Sequence, residues 1–148
     1  MSIRTDLRET LEGDATLVAI LTGGIYDASE LPQDGLTPEA APGAYAANGV
    51  TLKPCAVLRF RNMNETEIVG NSRRRFFEIY FYQHVGQAQI DIAQARCRAL
   101  LHPHKQFTTS SDQFYYTTWV DDLGDLVADE LNGAAMSFSR YYIDYFEV

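Results

Sequence analysis

The sequence predicts an α+β fold: a mostly antiparallel sheet packed with two or three helices, with one long contact loop and one β-hairpin. Two observations predict it. Apolar residues recur at helical spacing in two places, as Ile3, Leu7 and Leu11 and as Ile90, Ala93, Cys97, Leu100 and Leu101. Strand-like runs rich in Val, Phe and Tyr stand at 55–62, 73–83, 114–120 and 137–148. The 148 residues, 46% of them hydrophobic, fit one domain of ordinary size that can bury a core.

Taken in order, Ser2 can cap the first helix and Gly13 ends it. Asp14 is an N-cap for a short second helix, whose Leu17, Ile20 and Leu21 share a face. Gly23 and Gly24 supply a left-handed stop, and Ile25-Tyr26 begins a strand. Residues 27–54 hold Pro32, Pro38, Pro42 and Pro54 and show no periodicity. They read as an extended contact loop contributing little core, because loops of that length are uncommon unless functional. The runs 55–62 and 73–83 pair as a hairpin with a polar tip at 63–72; Phe77, Ile79 and Phe81 face one way and Phe76, Glu78, Tyr80 and Tyr82 the other. Gly86 leads into the long helix, and Pro103 stops it. A strand at 114–120 is followed by an acidic stretch, 121–131, expected to be weakly helical or loop. The last strand is aromatic on both faces, with Phe138, Tyr142 and Phe146 on one and Tyr141, Ile143 and Tyr145 on the other. Such a strand needs helices on both sides or another subunit on one.

Charge and motif limit the function. The formal net charge of −8 argues against a protein that grips nucleic acid, since phosphate affinity comes from Lys and Arg. No run is long enough to span a bilayer, and the N-terminus has no apolar signal core, so neither membrane nor export is expected. Cys55 and Cys97 lack a metal-type spacing and read as reduced, buried thiols. His102-Pro103-His104 has no third ligand at a supporting spacing and reads as a helix-ending loop with exposed imidazoles. His84 stands alone. Asp121, Asp122, Asp125, Asp129 and Glu130 lack the alternation of a calcium loop and read as a solvated acidic face. Tyr115, Tyr116 and Trp119 suggest base stacking, but the charge favours core or interface roles. The one basic run, Arg73-Arg74-Arg75, alternates in direction along a strand and suits ion pairs, including pairs to another subunit. No nucleophile triad, phosphate loop or CxxC is present, and no catalytic residue, cofactor or metal is expected.

The block LRETLEGDATLVAILTGGIYDASELPQ resembles the N-terminus of the tail terminator (tail completion, head-tail joining) proteins of long-tailed bacteriophages. The matching positions are Asp14, Leu17, Ile20, Leu21, Gly23, Gly24, Ile25, Tyr26 and Asp27, and the later strand–strand–helix–strand order is similar. The resemblance implies a tail-terminator-like α+β subunit that forms a homo-hexameric ring in the virion neck. It would be made in the host bacterial cytoplasm. The ring would cap the tail tube protein, dock the head-closure or connector protein, and pass double-stranded DNA non-specifically through its lumen. Asn64, Glu65, Arg73, Arg74, Arg75, Tyr141 and Tyr145 are the expected subunit or tube contacts. Another neck component, such as a head-closure or adaptor protein, is the nearest alternative. A small cytosolic ligand-binding domain or enzyme is the alternative from another class.

Overall fold

The computed structural model describes residues 3–32, 35–61, 66–67, 72–102, 105–108 and 114–146. The helices are α1 (Ile3–Glu12), α2 (Ala15–Ile20) and α3 (Ala88–Leu101). The strands are β1 (Ile25–Asp27), β2 (Cys55–Phe60), β3 (Thr66–Glu67), β4 (Ser72–Gln83), β5 (Lys105–Thr108), β6 (Phe114–Ala128) and β7 (Ala134–Phe146). They form one sheet in the order β1-β2-β4-β7-β6-β5, with β3 also on β4. Among the described strands, only β1 on β2 is parallel. The fold is α+β, as the sequence predicts.

The three helices cover one face of the sheet. Leu7, Leu11, Leu17, Ile90, Ala93, Cys97 and Leu101 pack on Leu58, Phe77, Ile79, Phe81, Tyr141 and Ile143. Each large side chain so buried stabilises the fold by about 1.5–3 kcal/mol. The two predicted stripes and the Phe77-Ile79-Phe81 face therefore meet as one core. Asp14 caps α2, its Oδ2 accepting from the Leu17 N–H at 2.9 Å. The same carboxylate accepts from Arg96 Nε at 2.9 Å and Nη2 at 2.7 Å, which ties α2 to α3.

That double use of Asp14 gives a prediction. The Arg96 hydrogen bonds hold the Asp14 carboxyl below its usual range. Those from Arg140 do the same to Asp121. A depressed folded pKa contributes stability that is present above the unfolded carboxylate value and lost as pH falls through the folded one. Asp14→Ala costs about 1 kcal/mol as a lost cap, with the deficit largest near neutral pH and shrinking in acid. Urea denaturation at two pH values measures both.

The two glycines after α2 serve different purposes. Gly24 takes the left-handed conformation, φ +97°. Gly23 instead sits where a Cβ would lie 2.9 Å from the Pro54 carbonyl oxygen and 3.0 Å from Cys55 Cβ, and its N–H donates to that carbonyl at 2.7 Å. Gly23→Ala costs about 1–3 kcal/mol by overpacking, read as a lower denaturation midpoint with unchanged slope.

Two expectations are corrected. Residues 121–128 are strand, not loop or helix: β6 runs on to Ala128, with register shifts between Trp119 and Asp121 and between Leu123 and Leu126. The shifts break the two-residue alternation that marks a strand in sequence. Residues 27–54 have little regular structure, with 3-10 turns at Ala28–Glu30 and Pro42–Ala44 and a bridge from Tyr45 to Leu52. They do contribute core. Leu36, Ala41, Ala44 and Leu52 are buried with Cys55, Val57, Tyr82, Ala128 and Ala134 on the second face of the sheet. Tyr45 Oη donates to the Leu36 carbonyl to close the turn. Strands β3 and β5 have no counterpart in the sequence reading. Ser2, Pro103 and His104, and most of the hairpin tip, lie outside the described residues.

Candidate functional site

Among the described residues, the second face of the sheet is only partly covered. The folded-back segment shields the end bearing Cys55, Val57 and Tyr82. The other end of β4, β7 and β6 carries aromatic and charged side chains in rows set by strand register. Arg74, Asp144 and Tyr116 form one row, Phe76, Tyr142 and Thr118 the next, and Glu78, Arg140 and Asp121 the third. Arg59 of β2 extends the third row, opposite Glu78.

The Arg74 and Arg140 charges in these rows are paired within the chain, and Arg59 lies 5.6 Å above the Tyr80 ring. Arg74 Nε and Nη2 donate to Asp144 Oδ1 and Oδ2 at 2.7 and 3.0 Å. Its guanidinium also lies 4.0 Å above the Tyr142 ring. Arg140 grips Asp121 with the same bidentate geometry. Such planar pairing is what guanidinium offers over ammonium. Between the pairs, Phe76 meets Tyr142 edge-on at 5.9 Å. Phe76, Tyr116, Leu123 and Phe146 are 45%, 43%, 43% and 58% exposed. An exposed group of aromatics interleaved with arginine has the composition of a protein contact surface.

The expected contact residues are dispersed by the fold. Arg73 and Tyr145 are register partners on the helix side of the strand end, where the Tyr145 ring packs 5.7 Å from Tyr115. Arg75 lies there too, its guanidinium 4.9 Å from the Phe60 ring. Arg74 alone of the three points to the bare face. Tyr141 is 0% exposed and stacks on Phe77 at 5.3 Å; it is a core residue and offers nothing to a partner. Asn64 and Glu65 lie outside the described residues. Arg140 and Asp121 were missed, because 121–131 did not look like strand. The even-numbered alternation from Phe138 to Phe146 was their only sequence signal.

The remaining candidates resolve into structure. Asp122 is no solvated acid: its Oδ1 accepts from Trp119 Nε1 at 2.9 Å and Ser139 Oγ at 2.6 Å, and Arg98 pairs with its Oδ2 at 3.1 Å. His102 is half-buried rather than exposed, its Nδ1 accepting from the Trp119 N–H. Tyr115 is buried and donates to Asp6. Cys55 and Cys97 are free and buried in the two separate cores, on opposite faces of the sheet. Burial pushes the Cys55 thiol up to about 12. Among the described residues no three His, Cys, Asp or Glu side chains could hold a metal ion. No described helix is long and apolar enough to cross a membrane.

No protein family and no curated protein matches this chain. Solved structures do. A chain from the virion of a native gene transfer agent particle superposes with a TM-score of 0.65 at 13% identity, over 99% of this chain and 96% of that one. A second solved chain, described only by a sequence identifier, gives 0.58 at 10% identity over 99% and 94%. At these identities the likeness is one of fold.

Proposed function

We propose that the chain is a structural virion protein, the subunit of a sixfold ring that caps the tail tube and joins it to the head–neck connector. DNA passes through the lumen. The observation that carries this reading is the end-to-end likeness in fold to a chain of a gene transfer agent virion. The Asp14–Asp27 block supports it, because its residues form the capped α2, the Gly23 contact and β1. Its work is geometric. It needs faces that fit the tube, the connector and neighbouring subunits, and no reacting group.

The ring contact is assigned to the strand end that gathers Arg73, Arg75 and Tyr145. Arg73→Glu with Arg75→Glu reverses charge there and removes the Arg75 contact with core Phe60, so circular dichroism first confirms that the variant is folded. The expected result is a folded protein that fails to enter particles, seen as tails without joined heads by electron microscopy. Normal particles from that variant sink the assignment of this contact.

A further inference from the structure

We propose that the bare sheet face binds a second copy of this chain through a two-fold axis lying along the Phe76–Tyr142–Thr118 row. The register carries the argument. One flanking row reads Arg74, Asp144, Tyr116 from β4 to β6; the other reads Glu78, Arg140, Asp121. The signs reverse from one row to the other about the aromatic row between them. A half-turn about that middle row lays each flanking row over the opposite row of the second copy. Arg74 then meets the partner's Glu78, Asp144 meets the partner's Arg140, and the Tyr116 hydroxyl meets the partner's Asp121. Phe76 and Tyr142 each face their own counterpart, as does Arg61 at the β2 end of the row, whose N–H donates to the Phe76 carbonyl and whose guanidinium turns off the axis toward Glu78.

The geometry is that of ordinary sheet packing. Rows two residues apart on a strand are separated by about 6.8 Å, the width of a side chain. An axis across the strands keeps the strands of both sheets nearly aligned, as face-to-face sheets prefer. Glu78 is itself buried, with Arg61 Nε at 4.0 Å and the Tyr80 hydroxyl at 3.3 Å, so it acts through its field more than by contact.

The charge pattern also selects the occupant. Arg59, Arg61, Arg74 and Arg140 stand with Glu78, Asp121 and Asp144, so the face is one positive charge from neutral on a chain of net charge −8. Two copies repel through the acidic remainder of the surface and far less across this near-neutral face. With Arg74 and Arg140 already committed to carboxylates, Arg59 and Arg61 are left to release counterions from a phosphate backbone, a narrow field on a chain of net charge −8. A pattern that complements its own half-turn image fits another copy of itself.

This inference goes beyond the virion reading and stands without it. A two-fold contact closes on itself, so it describes the free chain and is separate from the sixfold contact proposed above. The test is sedimentation equilibrium on the full chain with variants at position 76, where the side chain faces itself. The wild type is expected to dimerise at tens of micromolar. Phe76→Asp and Phe76→Lys are each expected to be monomeric, because like charges face across the axis. Mixed one to one, they are expected to form a dimer. Arg140→Glu, which leaves the aromatic row alone, is expected to weaken the dimer about tenfold or more. A wild type monomeric throughout, a dimer indifferent to Phe76→Asp and Arg140→Glu, or a mixture that stays monomeric overturns the proposal. Circular dichroism confirms that each variant is folded, and Arg140→Glu serves alone if the position-76 chains are not.

Discussion

Tyr141→Ala should lower the stability of the chain by about 3–5 kcal/mol, a large share of the roughly 5–15 kcal/mol that holds a domain folded. Tyr141 is fully buried in β7, stacked on Phe77 with the rings 8° from parallel. β7 lies between β4 and β6 near the middle of the sheet. Removing the ring leaves a cavity walled by two strands and α3 that cannot close without breaking register. Tyr141→Phe keeps the ring and should stay within about 1 kcal/mol of wild type. Ending the chain after Arg140 also removes Ile143 and the ladders to residues 72–77 of β4, and should give no folded protein. Guanidinium denaturation followed by circular dichroism measures the point variants. A wild-type midpoint for Tyr141→Ala would remove Tyr141 from the core.

Deleting residues 36–44 should open the second core and expose a thiol that the native chain hides. Leu36, Ala41 and Ala44 are buried over Cys55 and Val57, and Cys55 is 0% exposed with its pKa raised to about 12 by desolvation. In the intact chain neither cysteine should react with a thiol reagent at neutral pH, since the thiolate is the reacting form. In the deletion, Cys55 should react quickly while Cys97, sealed between α3 and the sheet, stays protected until global unfolding. The milder Leu36→Ala should cost about 2–5 kcal/mol and speed the same reaction. Equal protection of Cys55 in the deletion would show that the segment is an idle loop.

Those two predictions mark where the sequence was legible and where it was not. The helix-side core could be read because its signals are periodic. Ile3, Leu7 and Leu11 repeat by fours, Phe77, Ile79 and Phe81 by twos, and Asp14 stands where a cap belongs. The segment 27–54 could not be read that way. Its buried residues are held by single 3-10 turns and one bridge, which have no period to show. The acidic half of β6 was hidden by its two register shifts and by carboxylates that look solvated until Arg98 and Arg140 are found beside them. The bare face was half legible. The aromatic alternation of β7 announced a two-faced strand, and the sequence expected helices or a subunit on the second face. The folded-back segment covers one end of that face, and among the described residues the other end is open. Arg140 and Asp121, which set its charge pattern, depended on the register of β6. Tyr141 was misplaced because alternation alone does not say which face of a strand turns inward.

We propose that this chain builds a sixfold ring at the head-proximal end of a tail. Cryo-electron microscopy of particles carrying it tests that most directly. Six copies around the tube's last ring are expected, with the strand ends bearing Arg73 and Arg75 between neighbours and DNA density free of contact in the lumen. A twelvefold ring, or particles that lack the chain altogether, would contradict it.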